Sequence, residues 1–145
     1  MTSHKAIEQA LDALDGDAGS VSAAVPGGEA TVDVVAVDGL GVKVRGVSLD
    51  RSNPFDLETE CHALPDRIRS LPHRVHPVEV DAGLGGGTLR SRPEEMRKRD
   101  FFQIDLSGKG TVGVRRFKVT KNGDRQPMDF TLTREQLGDL LDEIS

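Results

Sequence analysis

The chain has 145 residues, of which 36% are hydrophobic and 30% charged, and its net charge is −5. At this length roughly two thirds of the surface is buried on folding, enough for one core without disulfides or a structural metal. With no Trp, no Tyr and 5 Phe, the composition excludes an extended aromatic platform for stacking bases or sugar rings.

Within an N-terminal segment 1–16, residues 4–14 read as a helix. Ser3 is the expected N-cap, Ile7, Ala10, Leu11 and Leu14 make an apolar stripe, and Gly16 ends it. Residues 17–30 are small and Gly-rich and read as a linker with a short edge strand near Val21 to Val25. The core is expected in 31–145, in a single domain spanning 1–145. Thr31 to Val37 and Val42 to Leu49 read as strands about the Asp38–Gly41 turn. Val42, Val44, Val47 and Leu49 share one face if Gly46 marks a bulge. Phe55, Leu57, Thr59 and Cys61 alternate with Asp56, Glu58 and Glu60, which predicts a strand with a wet acidic face.

Pro65 then opens a predicted middle helix ending near Leu71, with Leu64, Ile68 and Leu71 inward. Val78 and Val80 mark a strand, Gly83–Gly87 a loop, and Thr88 to Arg92 the returning hairpin partner. Pro93 to Arg99 reads as a charged connector or a single helical turn. Phe102, Ile104 and Leu106 alternate, and Val112 to Val119 is a strand whose apolar phase slips at Arg115-Arg116. Asn122-Gly123 is a hairpin turn, leading to a strand through Met128, Phe130 and Leu132. Thr133 and Gln136 form a capping box for a final helix with Leu137, Leu140, Leu141 and Ile144 inward. The fold class expected is α+β. About seven or eight strands form an antiparallel meander, twisted or partly closed, with short N-terminal, middle and C-terminal helices.

Charge is unevenly spread. Residues 1–63 carry 4 basic and 11 acidic side chains, whereas residues 64–99 carry 8 basic and 5 acidic. The acidic whole disfavours general nucleic-acid binding, while a local anion site in the basic middle is allowed. Arg67 and Arg69 on the middle helix, and Arg90 and Arg92 on the hairpin, are the candidate anion ligands, with Arg74, Arg97, Lys98 and Arg99 nearby. They converge if the hairpin packs beside the helix. Otherwise they solvate the surface or pair with Asp66, Glu94 and Glu95.

Catalytic and metal motifs fare poorly. The glycines at 83–87 lack the third glycine of a dinucleotide fingerprint, and Gln103 stands where a P-loop before Lys109 needs its first glycine. His73 and His76 are flanked by Pro72 and Pro77, and Cys61 and His62 diverge on a strand, so no metal site is expected from these with His4. Cys61, the only cysteine, permits no intrachain disulfide and reads as a buried small hydrophobe rather than a nucleophile. Glu58 and Glu60 read as a solvated face. No catalytic residue and no cofactor are predicted.

Asp105-Leu-Ser107-Gly-Lys-Gly110 resembles the D-x-S-x-x-G element of PilZ domains, which implies a β-barrel binding a cyclic dinucleotide. That family also carries an R-x-x-x-R element. Arg92 and Arg97 are one residue too far apart for it and lie only eight residues before Asp105. The helix–strands–helix–strands–helix order and small acidic size resemble type III secretion chaperones at the level of fold. A lone thiol, an N-terminus without an apolar signal core and no run near the about 18 apolar residues of a membrane span lead to the expectation of a cytoplasmic protein. The leading expectation is a non-catalytic interaction or adaptor domain whose partner is another protein or a second copy. The alternatives are a small-anion or nucleotide-binding module, and an enzyme whose residues are scattered along the chain.

Overall fold

The computed structural model describes residues 2–14, 17–81, 83–92 and 100–145. Its elements run α1 (Ser3–Asp12), β1 (Gly19–Val25), β2 (Gly28–Val37), β3 (Gly41–Arg51), α2 (Leu57–Arg67), β4 (Val75–Asp81), β5 (Gly86–Ser91), β6 (Asp100–Ser107), β7 (Thr111–Val119), β8 (Arg125–Met128), β9 (Phe130–Thr133) and α3 (Arg134–Glu143). The fold is α+β, with 3 helices and a 9-stranded antiparallel sheet that does not close among the described residues. Strand order is β1-β2-β3-β7-β6-β5-β4, with β8 on β7 and β9 on β3. β3 is the branch point. Its second half (Val47–Asp50) pairs β7, and its first half (Gly41–Val44) pairs β9.

All three helices lie on one face of the sheet. α2 packs on β4 and β5, α1 on β1 and α3, and α3 on β9 and β3. Arg67 at the end of α2 reaches the carbonyls of Glu143 and Ser145, which joins α2 to the end of α3. Ile7, Leu49, Leu64, Leu89, Ile104, Leu140 and Leu141 are fully buried between helices and sheet. Glycine sets two of the close approaches. A Cβ on Gly87 of β5 would lie 2.5 Å from the Cys61 sulfur, and one on Gly138 of α3 would enter the His4 ring. The capping box of α3 forms as expected, Thr133 accepting from the Gln136 amide and Gln136 from that of Thr133.

Several expectations need correction. Residues 55–61 are not a strand. Asp56 caps α2 by accepting from the Thr59 amide, and Leu57, Cys61 and Leu64 then fall on one helical face. Leu57 and Cys61 fit both a period of two and a helical stripe, and the cap decides between them. Pro65 consequently sits in the last turn of α2 rather than its first. Glu60 is buried, its carboxylate held by Arg51 at 2.7 Å and Arg67 at 2.5 Å, so Glu58 and Glu60 do not form a wet pair. The segment read as a linker is largely strand: the edge strand expected near Val21 to Val25 forms as β1, which turns directly into β2. Thr2, not Ser3, caps α1; Ser3 is buried and donates to Asp142 of α3. Gly16 and the connector 93–99, with Arg97, Lys98 and Arg99, lie outside the described residues.

Two breaks in apolar alternation have different causes. In β3, pairing runs Asp33↔Gly46 and then Val34↔Val44, a bulge that keeps Val42, Val44, Val47 and Leu49 all buried. In β7 the register against β6 is unbroken from Phe101↔Phe117 to Leu106↔Val112. The phase slip there is a change of face. Arg116 stays on the helix side and pairs with the buried carboxylate of Asp100, while Phe117 turns to the helix-free side.

Candidate functional site

The helix-free face carries a second, smaller cluster. Phe101 and Phe117 stack with ring centroids 5.7 Å apart, and both are buried although no helix among the described residues covers them. Arginines do the covering. Arg90 lies 5.6 Å from the Phe101 centroid, and Arg115 and Arg125 lie 5.0 and 5.5 Å from that of Phe117. Their stems shield the rings while their guanidiniums stay near water.

Gln103 organises these cations. Its Oε1 accepts from Arg90 Nε and from Arg125 Nη1, both at 2.9 Å, and its Nε2 donates to both oxygens of Asp105 at 3.1 Å. Asp105 also pairs with Arg115 at 3.0 Å. A neutral amide thus holds two guanidiniums side by side, and the nearby carboxylate is taken by Arg115. Among the described residues no carboxylate stands within ion-pair distance of Arg90, Arg92 or Arg125.

Those three arginines, with His76, line a cavity of about 440 Å³ whose apolar wall is Phe101, Pro77, Val78 and Val119. The β7–β8 hairpin delivers Arg125, because the turn at Gly123 (φ +83°) sets Arg125 opposite Val119. On β4, Val78 is the extra residue where the register jumps from Pro77↔Leu89 to Glu79↔Thr88, and it is 54% exposed at the cavity. A second hollow of about 420 Å³ lies farther along this face, with Gly46 and Gly113 in its lining and Asp33, Asp105 and Arg115 among its charges.

The sheet divides the four arginines singled out from sequence. Arg67 is engaged by Glu60 and the C-terminal carbonyls, and the backbone amide of Arg69 donates to Glu143. Both belong to the helix side. Leu89 faces the helices and Arg90 alternates with it, so Arg90 points the other way, where it shares the cavity with Arg92. Arg74 pairs with Asp66 at 2.7 Å. Arg125, Gln103 and Phe101 were not singled out from sequence. The usable signal was the phase slip at Arg115-Arg116, which put an apolar Phe117 on the face opposite the core.

The remaining candidates do not assemble. Cys61 is buried, and burial first, then the neighbouring Glu60 charge, pushes its thiol pKa up, away from a nucleophilic thiolate. His4 bonds Asp139 at 2.7 Å, and His62 is exposed. Among the described residues no three His, Cys, Asp or Glu side chains are placed to hold a metal. Asp105 and Ser107 line the second hollow and Arg92 the first, so the PilZ-like letters do not share a cavity with Arg92, and Arg97 lies outside the described residues. The chain matches no family model, no curated protein and no solved structure. Among the described residues no helix is long and apolar enough to cross a membrane.

Proposed function

We propose that this protein is a non-catalytic binding domain whose helix-free sheet face takes an organic anion. The ligand class is a compact oxyanion, phosphate or carboxylate, joined to a flat apolar body. The observation that carries this reading is the cavity of Arg90, Arg92 and Arg125, free of carboxylates among its described lining, in a chain of net charge −5. Arginine forks suit a planar or tetrahedral oxyanion, and Gln103 already fixes two of them, which reduces the ordering cost of binding. Phe101 offers the apolar body a wall.

Thermal unfolding with phenyl phosphate, benzoate and orthophosphate tests this. A ligand at about ten times its Kd adds about 1.4 kcal/mol, a rise of roughly 4 °C for a chain of this size. Phenyl phosphate or benzoate should act more strongly than orthophosphate, and added salt should weaken the effect. Arg125→Gln and Arg92→Gln should abolish it, while Arg69→Gln should keep it. A shift that survives loss of Arg92 and Arg125, or no shift at millimolar ligand, rejects the reading. The adaptor reading has separate support in the uncharged sheet edge formed by β1.

A further inference from the structure

The end strands of the seven-strand path, β1 and β4, are built differently. The β4 edge carries Pro77, the irregularity at Val78 and the acids Glu79 and Asp81, all features that discourage another strand from adding. β1, Gly19–Val25, has the sequence GSVSAAV with no charge, no proline and an unshifted register against β2 over its whole length. Val21, Ala23 and Val25 are buried on the helix side, while Ser20, Ser22 and Ala24 are exposed.

The hydrogen-bond phase of β1 follows from its neighbours. Arg51 donates its amide to Gly110 on the β7 side, so its partner across β2–β3, Gly28, directs its own polar groups to β1. Gly28 pairs Val25, which makes the odd residues of β1 those bonded to β2. The amides and carbonyls of Ser20, Ser22 and Ala24 therefore point off the edge.

We infer that the β1 edge is a self-pairing surface, joining two copies of this chain antiparallel about a two-fold axis at Ser22. That axis overlaps all of β1 and sets Ser22 opposite Ser22, and Ser20 opposite Ala24, so every outward-directed residue meets another. Val21 then meets Ala23 on the helix side, apolar against apolar, and no like charges are opposed. The operation closes on itself and gives a dimer rather than a fibre. A single strand pair is a small interface, so the dimer is weak and concentration-dependent. Because both copies carry −5, salt should strengthen it by screening their repulsion. This inference stands apart from the anion cavity, which lies toward the opposite edge.

Sedimentation velocity from about 1 μM to 1 mM tests it. The expected result is a monomer–dimer equilibrium that tightens with salt. Ser22→Lys sets two ammoniums face to face and should weaken it about tenfold or more. Ser22→Cys should cross-link to a covalent dimer under mild oxidation faster than Ser20→Cys, whose partner is Ala24. A strictly monomeric protein overturns the inference. So does a dimer that Ser22→Lys leaves unchanged, or equal cross-linking at both cysteines, each of which would place the contact elsewhere. Capture of an added extended peptide in place of a second copy would likewise overturn self-pairing.

Discussion

β3 and β7 lie side by side, and each interrupts its apolar alternation once. β3 absorbs the interruption with a bulge at Arg45, next to Gly46, and serves one core. β7 keeps its register and serves two, with Val112 and Val114 under the helices and Phe117 on the opposite face. A phase slip in a sequence therefore has two physical outcomes, and only the second builds something on the far side of a sheet. In this molecule the far side gains an aromatic pair covered by cations, and the candidate cavity stands beside it.

Truncation of one residue on each side of that contrast gives the largest expected effect. Leu49→Ala on β3 removes a fully buried side chain from the helix-covered core and should cost about 3 kcal/mol in urea unfolding. Phe117→Ala should cost less, about 2 kcal/mol, because flexible guanidiniums rather than a packed helix cover the ring. It should also weaken the ligand response, since Arg125 loses its seat, whereas Leu49→Ala should leave that response intact. Equal costs would mean that the two faces are packed alike.

The helix-side pair on β7 comes next. Asp100→Asn leaves Arg116 without its carboxylate and should destabilise by about 2 kcal/mol in the same assay, below the value for a fully enclosed pair because Arg116 is partly exposed. No loss would show that solvent already satisfies Arg116.

The smallest effect separates the turns that precede and follow these strands. The turn before β3 is held by Asp38, which accepts from the Leu40 and Gly41 amides, each at 2.8 Å. The Gly41 bond first, then that of Leu40, keeps this carboxyl below its ordinary pKa of 3.8. A lowered pKa stabilises the turn above the ordinary value, and the contribution is lost as pH falls through the lowered one. The turn after β7 uses the Thr120 hydroxyl as acceptor from Asp124, and a hydroxyl does not titrate in acid. The Leu40 and Gly41 amide resonances should accordingly titrate with a midpoint below 3.8, a behaviour that Asp38→Asn removes. A midpoint at or above that value would show that the carboxylate bonds contribute nothing.

How far the sequence could be read depended on how local each signal was. The Asn122-Gly123 hairpin and the Thr133–Gln136 cap each involve neighbouring residues and form as expected, and the bulge expected at Gly46 forms one residue away, at Arg45. The strand expected over α2 fails because its apolar residues fit two periods, and the acids of its first turn, Glu58 and Glu60, fit the wet face of a strand as well as a helix start. Half of the cavity was legible, Arg90 and Arg92 lying in the basic middle of the chain. Arg125 arrives through pairing of β8 with β7, and Gln103 joins it to Arg90 across strands. Such meetings depend on strand order, which no local pattern encodes.

The branch at β3 has a consequence for the order of assembly. Val42 and Val44 pair with Val37 and Val34 of β2 on one side, but on the other only with Leu132 and Phe130, and α1 rests on α3. A chain emerging from the ribosome can zip the β1–β2–β3 ribbon early, yet the outer edge of half its third strand waits for residues made much later. Early folding of the first half alone is thereby disfavoured, and the two halves should acquire their structure together, in one concerted step.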